Sequence, residues 1–275
     1  MSFGNFGQGG GAFNSPGCII SDKKDNLFIC DELNHRIQKF NKDGKYILSF
    51  GGFGSMEGRF RTPAGISIDK DENILISDWQ NHRIQKFSPD GVFISSFGRH
   101  GSKDGELNRP SGIAVDKNGF IYVSDLGNKR IQKFNRDWKF IKSFGADMLK
   151  EPFAIHITVR EEIVVGELSG DRIVLFGQDG NLIKSVGSEG TGDGEFLWAS
   201  SIATDRNENI YITDFWNSRI QIFSKDLKFI SSFGKFGRGV GEFDCISSLT
   251  ISDEFLFACD YFNHRIQRFR IDVKE

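Results

Sequence analysis

The sequence predicts an all-β fold, a six-bladed β-propeller of four-stranded antiparallel blades whose ring is closed by an N-terminal strand joining the last blade. Three observations support this prediction. One segment recurs six times within 275 residues, each copy contains four short apolar stretches, and no stretch shows helical periodicity. The 28 phenylalanines fit blades that bury both faces against their neighbours.

The recurring segment is clearest from Asp78 to Phe87, where it reads D-W-Q-N-H-R-I-Q-K-F. The other five copies start at Asp31, Asp125, Glu167, Asp214 and Asp260. Successive starts are 47, 47, 42, 47 and 46 residues apart. A fixed period of this length indicates a repeat architecture in which each copy is one structural unit.

Each copy divides into four predicted strands. In the second copy these are residues 65–68, 74–77, 83–87 and 92–97, which alternate in polarity and are rich in β-branched and aromatic side chains. The connections at residues 70–73 and 88–91 contain the Asp, Asn, Pro and Gly residues of tight turns. Four strands in each of six copies therefore indicate six blades.

The two ends of the chain suggest how the ring closes. Four copies end their outermost strand in Ser-Phe-Gly, and the chain itself begins Ser2-Phe3-Gly4 after the first methionine. We therefore expect the N-terminus to supply the outer strand of the sixth blade, making residues 1–275 a single domain. The shortness of that strand suggests a domain excised from a longer protein, with a naturally short strand as the alternative.

Composition limits the classes of protein to consider. The 35 Lys and Arg residues nearly balance the 37 Asp and Glu residues, so nucleic-acid binding would need a local patch. Cys18, Cys30, Cys245 and Cys259 are too few for a disulfide framework and are expected to be reduced thiols in a cytoplasmic protein. A redox pair of Cys30 and Cys259 in adjoining blades is the alternative. No apolar run is long enough to predict a membrane span.

The Asn, His-Arg and Ile-Gln-x-Phe signature of the segments resembles the NHL repeat. The glycine-rich loop at residues 187–196 is most similar to those of C-terminal propellers in animal TRIM-NHL proteins. This resemblance implies a regulator of mRNA whose upper face binds single-stranded U-rich RNA, an RNA hairpin or a partner protein. A RING finger, B-boxes and a coiled coil are implied only by the resemblance. Fold alone does not specify function.

The repeated Asp, Asn and Arg residues are interpreted first as scaffold. Asp78 and Asn81 can bond backbone amides across a tight turn, and Arg83 can pair with Asp78. The position after the asparagine varies between copies and is therefore freer to serve a site. It holds His35, His82, Lys129 and His264 among others.

Catalysis is not expected, because no nucleophile motif, phosphate-binding loop or cluster of metal ligands is present. Propeller lactonases and amidating lyases remain family-level alternatives without supporting residues. His156 replaces small residues of other innermost strands, so it either lines the central channel or is a hydrogen-bonded core residue. We expect no cofactor, no metal and a monomeric domain.

Aromatic residues are concentrated where one propeller face is expected. Because bases stack well on exposed rings, we interpret these rings as candidate binding residues, although some could tuck between blades. They are Trp79, Phe215, Trp216, Tyr261 and Phe262 in the turns between second and third strands, and Phe153 and Trp198 near the starts of inner strands.

Charge is uneven on the same predicted face. Arg61, Arg99 and Arg109 lie in the loops before the second and third copies, whereas the loop before the fifth copy is acidic. The sequence therefore predicts single-stranded RNA, of U-rich sequence, over the second and third blades. The alternative is a protein partner such as an Argonaute-type protein or a ubiquitylation substrate. The shortened fourth copy could open a groove or reflect drift.

Overall fold

The computed structural model describes residues 1–252 and 254–271, and it confirms the predicted six four-stranded antiparallel sheets. The end of the predicted domain, residues 272–275, lies outside the described residues. Inner strands of neighbouring blades contact each other around the whole ring, including the sixth against the first. Within the described residues there is no α-helix, only three single 3-10 turns, at Glu32–Asn34, Trp79–Asn81 and Leu126–Asn128.

Each blade runs from an inner strand to an outer strand in chain order. The first three blades are Pro16–Ser21, Leu27–Asp31, Arg36–Phe40 and Tyr46–Gly51; Pro63–Ile68, Ile74–Asp78, Arg83–Phe87 and Phe93–Phe97; and Pro110–Val115, Ile121–Asp125, Arg130–Phe134 and Phe140–Phe144. The fourth and fifth are Pro152–Ile157, Ile163–Glu167, Ile173–Phe176 and Leu182–Val186; and Ala199–Thr204, Ile210–Asp214, Arg219–Phe223 and Phe229–Phe233.

The sixth blade combines both ends of the chain. Its first three strands are Ile246–Ile251, Phe255–Asp260 and Arg265–Arg270, and Ser2–Phe3 is the fourth. Ser2 pairs with Gln267 and Phe3 with Ile266 in antiparallel register, which confirms the predicted closure. One additional ladder, Lys235–Phe236 against Glu242–Phe243, folds the loop before this blade onto itself.

The hydrophobic core lies between blades rather than within them. Each of the six buried apolar clusters draws residues from two adjacent blades, and together they account for all six interfaces. The second strand of a blade is buried on both faces, as in the fully buried run Ile74–Asp78. Burial on both faces explains why these strands read as continuous apolar runs instead of alternating ones.

The side chain of Phe3 should carry much of the closure energy, because its ring packs 5.1 Å from that of Phe40 in the next blade. We expect Phe3→Ala to lower the free energy of unfolding by about 2 kcal/mol, below the value for a fully buried phenylalanine. The control is Phe236→Ala, whose ring is 74% exposed and should cost less than about 0.5 kcal/mol. Chemical denaturation would measure both, and equal effects would contradict a closing role for Phe3.

Candidate functional site

One face of the ring gathers two kinds of segment, and it is called here the upper face. The turns between second and third strands lie against the loops that lead into the inner strands, called here the leading loops. In the second blade the amide of Trp79 donates to the carbonyl of Thr62 at 3.1 Å, and the amide of Gln80 donates to that of Arg61 at 3.1 Å. All predicted aromatic site residues are therefore placed on or near one surface.

The repeated acid is the hub of each blade's upper end. Asp78 is fully buried and accepts from the amide of Arg61 at 2.7 Å, from Asn81 Nδ2 at 2.8 Å and from Arg83 Nε at 2.8 Å. Gln85 Nε2 adds a fourth donor at 3.1 Å. A buried carboxylate is tolerated when its oxygens are fully paired in this way. The scaffold interpretation of the repeated Asp, Asn and Arg is confirmed.

The same hub fixes the leading loop. Arg83 Nη2 donates to the carbonyls of Met56 and Arg59 at 2.7 and 2.8 Å, and Asn81 Nδ2 donates to that of Gly54 at 2.9 Å. Gln85 accepts from the amide of Gly58 at 2.9 Å. The upper face is consequently built on loops whose backbone is held by side chains of the neighbouring strand.

The fourth blade keeps the hub despite its altered sequence. Glu167 accepts from the amide of Lys150 and from Arg172 Nε, as the aspartate does elsewhere. A β-carbon on Gly170 would lie 2.4 Å from the Glu167 carboxylate, so the glycine makes room for the longer acid. This compensation supports drift rather than a new groove.

The histidines expected to be free for binding each use one ring nitrogen within the fold, and their role in binding a partner stays a prediction. His35, His82 and His264 have left-handed backbone conformations, and the Nδ1 atom of each accepts from a backbone amide of the next blade, at 3.0 to 3.1 Å. Asp171 and Ser218 make the equivalent bond with side-chain oxygens. Lys129, which has no acceptor, precedes the shortened fourth blade and is exposed.

Five predicted aromatic residues form one connected cluster on the fifth and sixth blades. Trp198 stacks on Phe215 at 5.6 Å, and Phe215 contacts Trp216 at 4.9 Å, Tyr261 at 5.8 Å and Phe262 at 6.5 Å. Trp198, Trp216 and Phe262 are 38%, 50% and 44% exposed, whereas Phe215 is only 8% exposed. Phe215 is therefore the buried base of the cluster, not an exposed binding ring.

The predicted cations lie mainly across the ring from this cluster. Arg109 is exposed and its guanidinium lies 5.4 Å from the ring of Trp79. Arg61 is also exposed and lies 5.4 Å from the ring of Phe53. Arg99 is less available, because it pairs with Glu106 at 3.0 Å. The predicted cations Arg61 and Arg109 thus lie beside Phe53 and Trp79, away from the five-residue aromatic cluster.

A cavity of about 260 Å³ opens where the upper face meets the propeller axis. Among its walls are the side chains that follow the repeated acid in five blades, Glu32, Trp79, Leu168, Phe215 and Tyr261. Phe153 and Trp198 complete the aromatic part of the wall. The cavity therefore unites five predicted aromatic residues with one carboxyl group, Glu32, that sequence reasoning did not select.

Glu32 is unusual electrostatically. Burial against the apolar wall raises the pKa of its carboxyl to about 7, although a hydrogen bond from Tyr261 favours ionisation. Gly17 lies against the carboxylate, and a β-carbon there would come within 2.5 Å of it. The available sequence signal was that Glu32 is the one acidic residue at its repeat position.

The innermost strands surround a second cavity on the axis, of about 320 Å³. His156 lines it, and its Nε2 atom lies 3.0 Å from Thr204 Oγ1, so both interpretations of this histidine hold. Burial lowers the pKa of His156 to about 4. Within the described residues no group of His, Cys, Asp and Glu could hold a metal ion.

The cysteine prediction is partly wrong. Cys18 and Cys30, which are register partners in the first blade, form a disulfide. Cys245 and Cys259 are buried free thiols, as expected. Sequence spacing did not reveal the bond, because it depends on strand register. No helix in the described part of the chain is long and apolar enough to cross a membrane.

Comparison with known proteins supports the repeat assignment. Residues 60–87 and 107–134 match the NHL repeat, and residues 148–220 match a family described as a 6-bladed beta-propeller. The chain therefore carries NHL repeats. No curated protein matches the sequence. The specific resemblance to animal TRIM-NHL proteins stays a prediction.

Solved structures of bacterial propellers are similar in fold. A protein of unknown function from Bacteroides thetaiotaomicron has a TM-score of 0.77 at 15% identity, over 98% of this chain and 74% of that one. Virginiamycin B lyase from Staphylococcus aureus has a TM-score of 0.63 at 15% identity, over 95% and 86%. A gluconolactonase from Xanthomonas campestris has a TM-score of 0.67 at 12% identity, over 92% and 86%. At these identities the likeness shows the fold alone.

The histidine links predict a loss of stability on acidification. Burial lowers the pKa of His35, His82 and His264, and a neutral Nδ1 is needed to accept the amide bond. Each histidine therefore contributes fully to the free energy of unfolding above its unfolded pKa of about 6.5, and the contribution is lost as pH falls from that value through the lower folded pKa. At these part-exposed sites the loss is on the order of 0.5 kcal/mol per histidine.

The variant His82→Ser tests this link, because Ser218 supplies the same acceptor at the equivalent position without titrating. Unfolding of the wild type and the variant should be compared by urea denaturation from pH 8 to pH 5. We expect the variant to lose less stability than the wild type over this range. Parallel pH profiles would show that folding does not change the pKa of His82.

Proposed function

We propose that this NHL propeller is a binding module that recognises short single-stranded RNA, of U-rich sequence, on its upper face. The observation that carries the proposal is the connected cluster in which Trp198, Trp216 and Phe262 remain exposed over the buried ring of Phe215. Exposed rings in contact with each other form a stacking platform, and each stacked base contributes about 1–3 kcal/mol.

The cations of the opposite half suit the phosphates of the same strand. Arg61, Arg109 and Lys129 are exposed and form no salt bridge within the described residues. A single strand whose bases stack on the fifth and sixth blades would cross the axis towards these side chains. The sequence predicted RNA over the second and third blades and away from the acidic fifth blade, and the path proposed here extends from those two blades to the fifth and sixth.

A protein partner is the second candidate, and a specific observation favours it. The leading loop of the fifth blade exposes Glu189 and Asp193 on the same blade as Trp216. Negative charge beside the exposed rings repels phosphate and suits a basic protein segment. Such a partner could be an Argonaute-type protein or a ubiquitylation substrate.

The proposed role is that of a TRIM-NHL-type regulator that binds without catalysing a reaction. The proposed location of the protein is the cytoplasm, where it would meet an RNA ligand. The Cys18–Cys30 disulfide is more typical of an oxidising compartment, so the redox state of these two cysteines in cells bears directly on the location. The isolated domain is proposed to be monomeric.

RNA binding is testable by fluorescence polarisation with labelled U-rich oligonucleotides at about 150 mM salt, where weak phosphate-only binding is suppressed. We expect Trp216→Ala to weaken binding about tenfold through lost stacking, and Arg109→Glu to weaken it and reduce its salt dependence. Lys45→Glu makes the same charge change in a turn on the opposite face and is the matched control.

Binding to U-rich oligonucleotides no tighter than to mixed sequences, or equal effects of Arg109→Glu and Lys45→Glu, would argue against specific RNA recognition. If the wild type does not bind RNA but binds a basic peptide or protein, and the Trp216→Ala variant does not bind that partner, the protein-partner candidate replaces the RNA candidate.

A further inference from the structure

The axial cavity on the upper face has a chemical character that RNA stacking does not use. The residues that follow the repeated acid in the six blades are Glu32, Trp79, Leu126, Leu168, Phe215 and Tyr261. All except Leu126 line the cavity. One copy out of six thus places a carboxylate in an otherwise apolar and aromatic ring.

The rings surround the cavity from several sides. Trp79 comes from the second blade, Phe153 from the fourth, Trp198 and Phe215 from the fifth, and Tyr261 from the sixth. Aromatic faces carry partial negative charge and attract cations, most strongly when the cation has lost its water. Of these five rings, only Trp79 has a protein cation near it, the Arg109 guanidinium, among the described residues.

Glu32 supplies the formal negative charge of the cavity wall. It is the only charged side chain among the lining residues, and no Lys, Arg or His within the described part of the chain forms a salt bridge with it. The neighbouring Tyr261 hydroxyl is placed to donate a hydrogen bond to it. A partly buried carboxylate without a counter-ion is costly, and a bound cation would offset that cost.

We propose that this cavity binds the methylated ammonium head group of an organic cation, with the aromatic rings around the methyl groups and the Glu32 carboxylate as the counter-charge. Aromatic residues combined with an acid form the type of site that takes quaternary ammonium groups. A metal ion fits less well, because a single carboxylate cannot replace the six or more oxygen ligands of Ca²⁺ or Mg²⁺.

The size of the cavity sets the size of the ligand. Its volume of about 260 Å³ lies just below the range of about 300–1,000 Å³ that is typical of pockets for whole small molecules. A head group fits, whereas a nucleotide or a large metabolite would remain largely outside. The head group could belong to a free small molecule or to a methylated lysine of a protein, and these two sources share the same chemistry.

Ionisation of the Glu32 carboxyl should control the affinity of the cavity for the organic cation. The carboxylate form attracts the cation, so binding should strengthen as pH rises through the Glu32 pKa of about 7. Tyr261, the other titratable residue of the cavity lining, and the Cys245 thiol behind it stay neutral in this range, since burial raises the pKa of both. Asp31, next to Glu32 in the chain, is paired with Arg36. The nearby Arg109 guanidinium does not change charge at these pH values.

The test is isothermal titration of the protein with choline chloride, compared with 3,3-dimethyl-1-butanol, which has the same shape and no charge. We expect choline to bind at least about tenfold more tightly than the neutral analogue. Glu32→Gln should weaken choline binding about tenfold and abolish its pH dependence. Trp79→Ala should also weaken it, and tryptophan fluorescence provides a second readout.

The matched control is Glu57→Gln, which makes the same change on an exposed leading loop and should leave choline binding unchanged. Glu32→Gln should fold normally, because its amide oxygen can still accept from Tyr261. A trimethyllysine peptide forms the second arm, and tighter binding of the peptide than of choline would identify a protein source.

Absence of binding by both choline and the peptide would overturn the proposal, as would equal affinity for the neutral analogue or an unchanged affinity in Glu32→Gln. The two proposals are distinguishable although both use Trp198, because the RNA experiment substitutes Trp216 and Arg109, which do not line the cavity, and the choline experiment substitutes Glu32. Either proposal can fail while the other holds.

Discussion

The rest of the structure depends on one constraint: no blade can bury both of its own faces. The central strands of each sheet are apolar on both sides, so each hydrophobic cluster has to be shared by two neighbours. A ring is the arrangement that satisfies every blade at once, and pairing Ser2–Phe3 with Arg265–Arg270 closes the sixth interface with the first. Stability is therefore a property of neighbouring pairs, as in repeat proteins generally.

The buried acid hub gives this ring a precise upper face. Four donors converge on Asp78, and the Arg83 and Gln85 side chains extend from it to the leading loop. Because the arrangement recurs, the residues that form it belong to the scaffold even though they are the most recognisable part of the sequence. Residues that break the symmetry on a fixed backbone, such as Glu32 and Trp79, are better candidates for function.

Neighbouring blades are also joined by polar contacts at this face. Side chains at the left-handed position after the asparagine accept a hydrogen bond from the next blade, and histidine, serine and aspartate serve equally. In five of the six copies the side chain at this position is such an acceptor, and Lys129 is the exception. The aromatic cluster built on Phe215 and the cations near Trp79 and Phe53 occupy opposite halves of the same surface, so a ligand that uses both has to cross the axial cavity.

The sequence by itself determined the six copies, the four strands of each and the closing strand, because repeat period and strand alternation are local patterns that burial imposes directly. It also indicated which face carries the aromatic residues. Only the tertiary structure decided which of them are exposed, that His82 is a link between blades, that Cys18 meets Cys30, and that Glu32 faces aromatic side chains from distant copies. The Cys18–Cys30 contact depends on strand register within the first blade, and the other facts depend on which side chains of different blades meet around the axis. Neither is visible in the distance between residues along the chain.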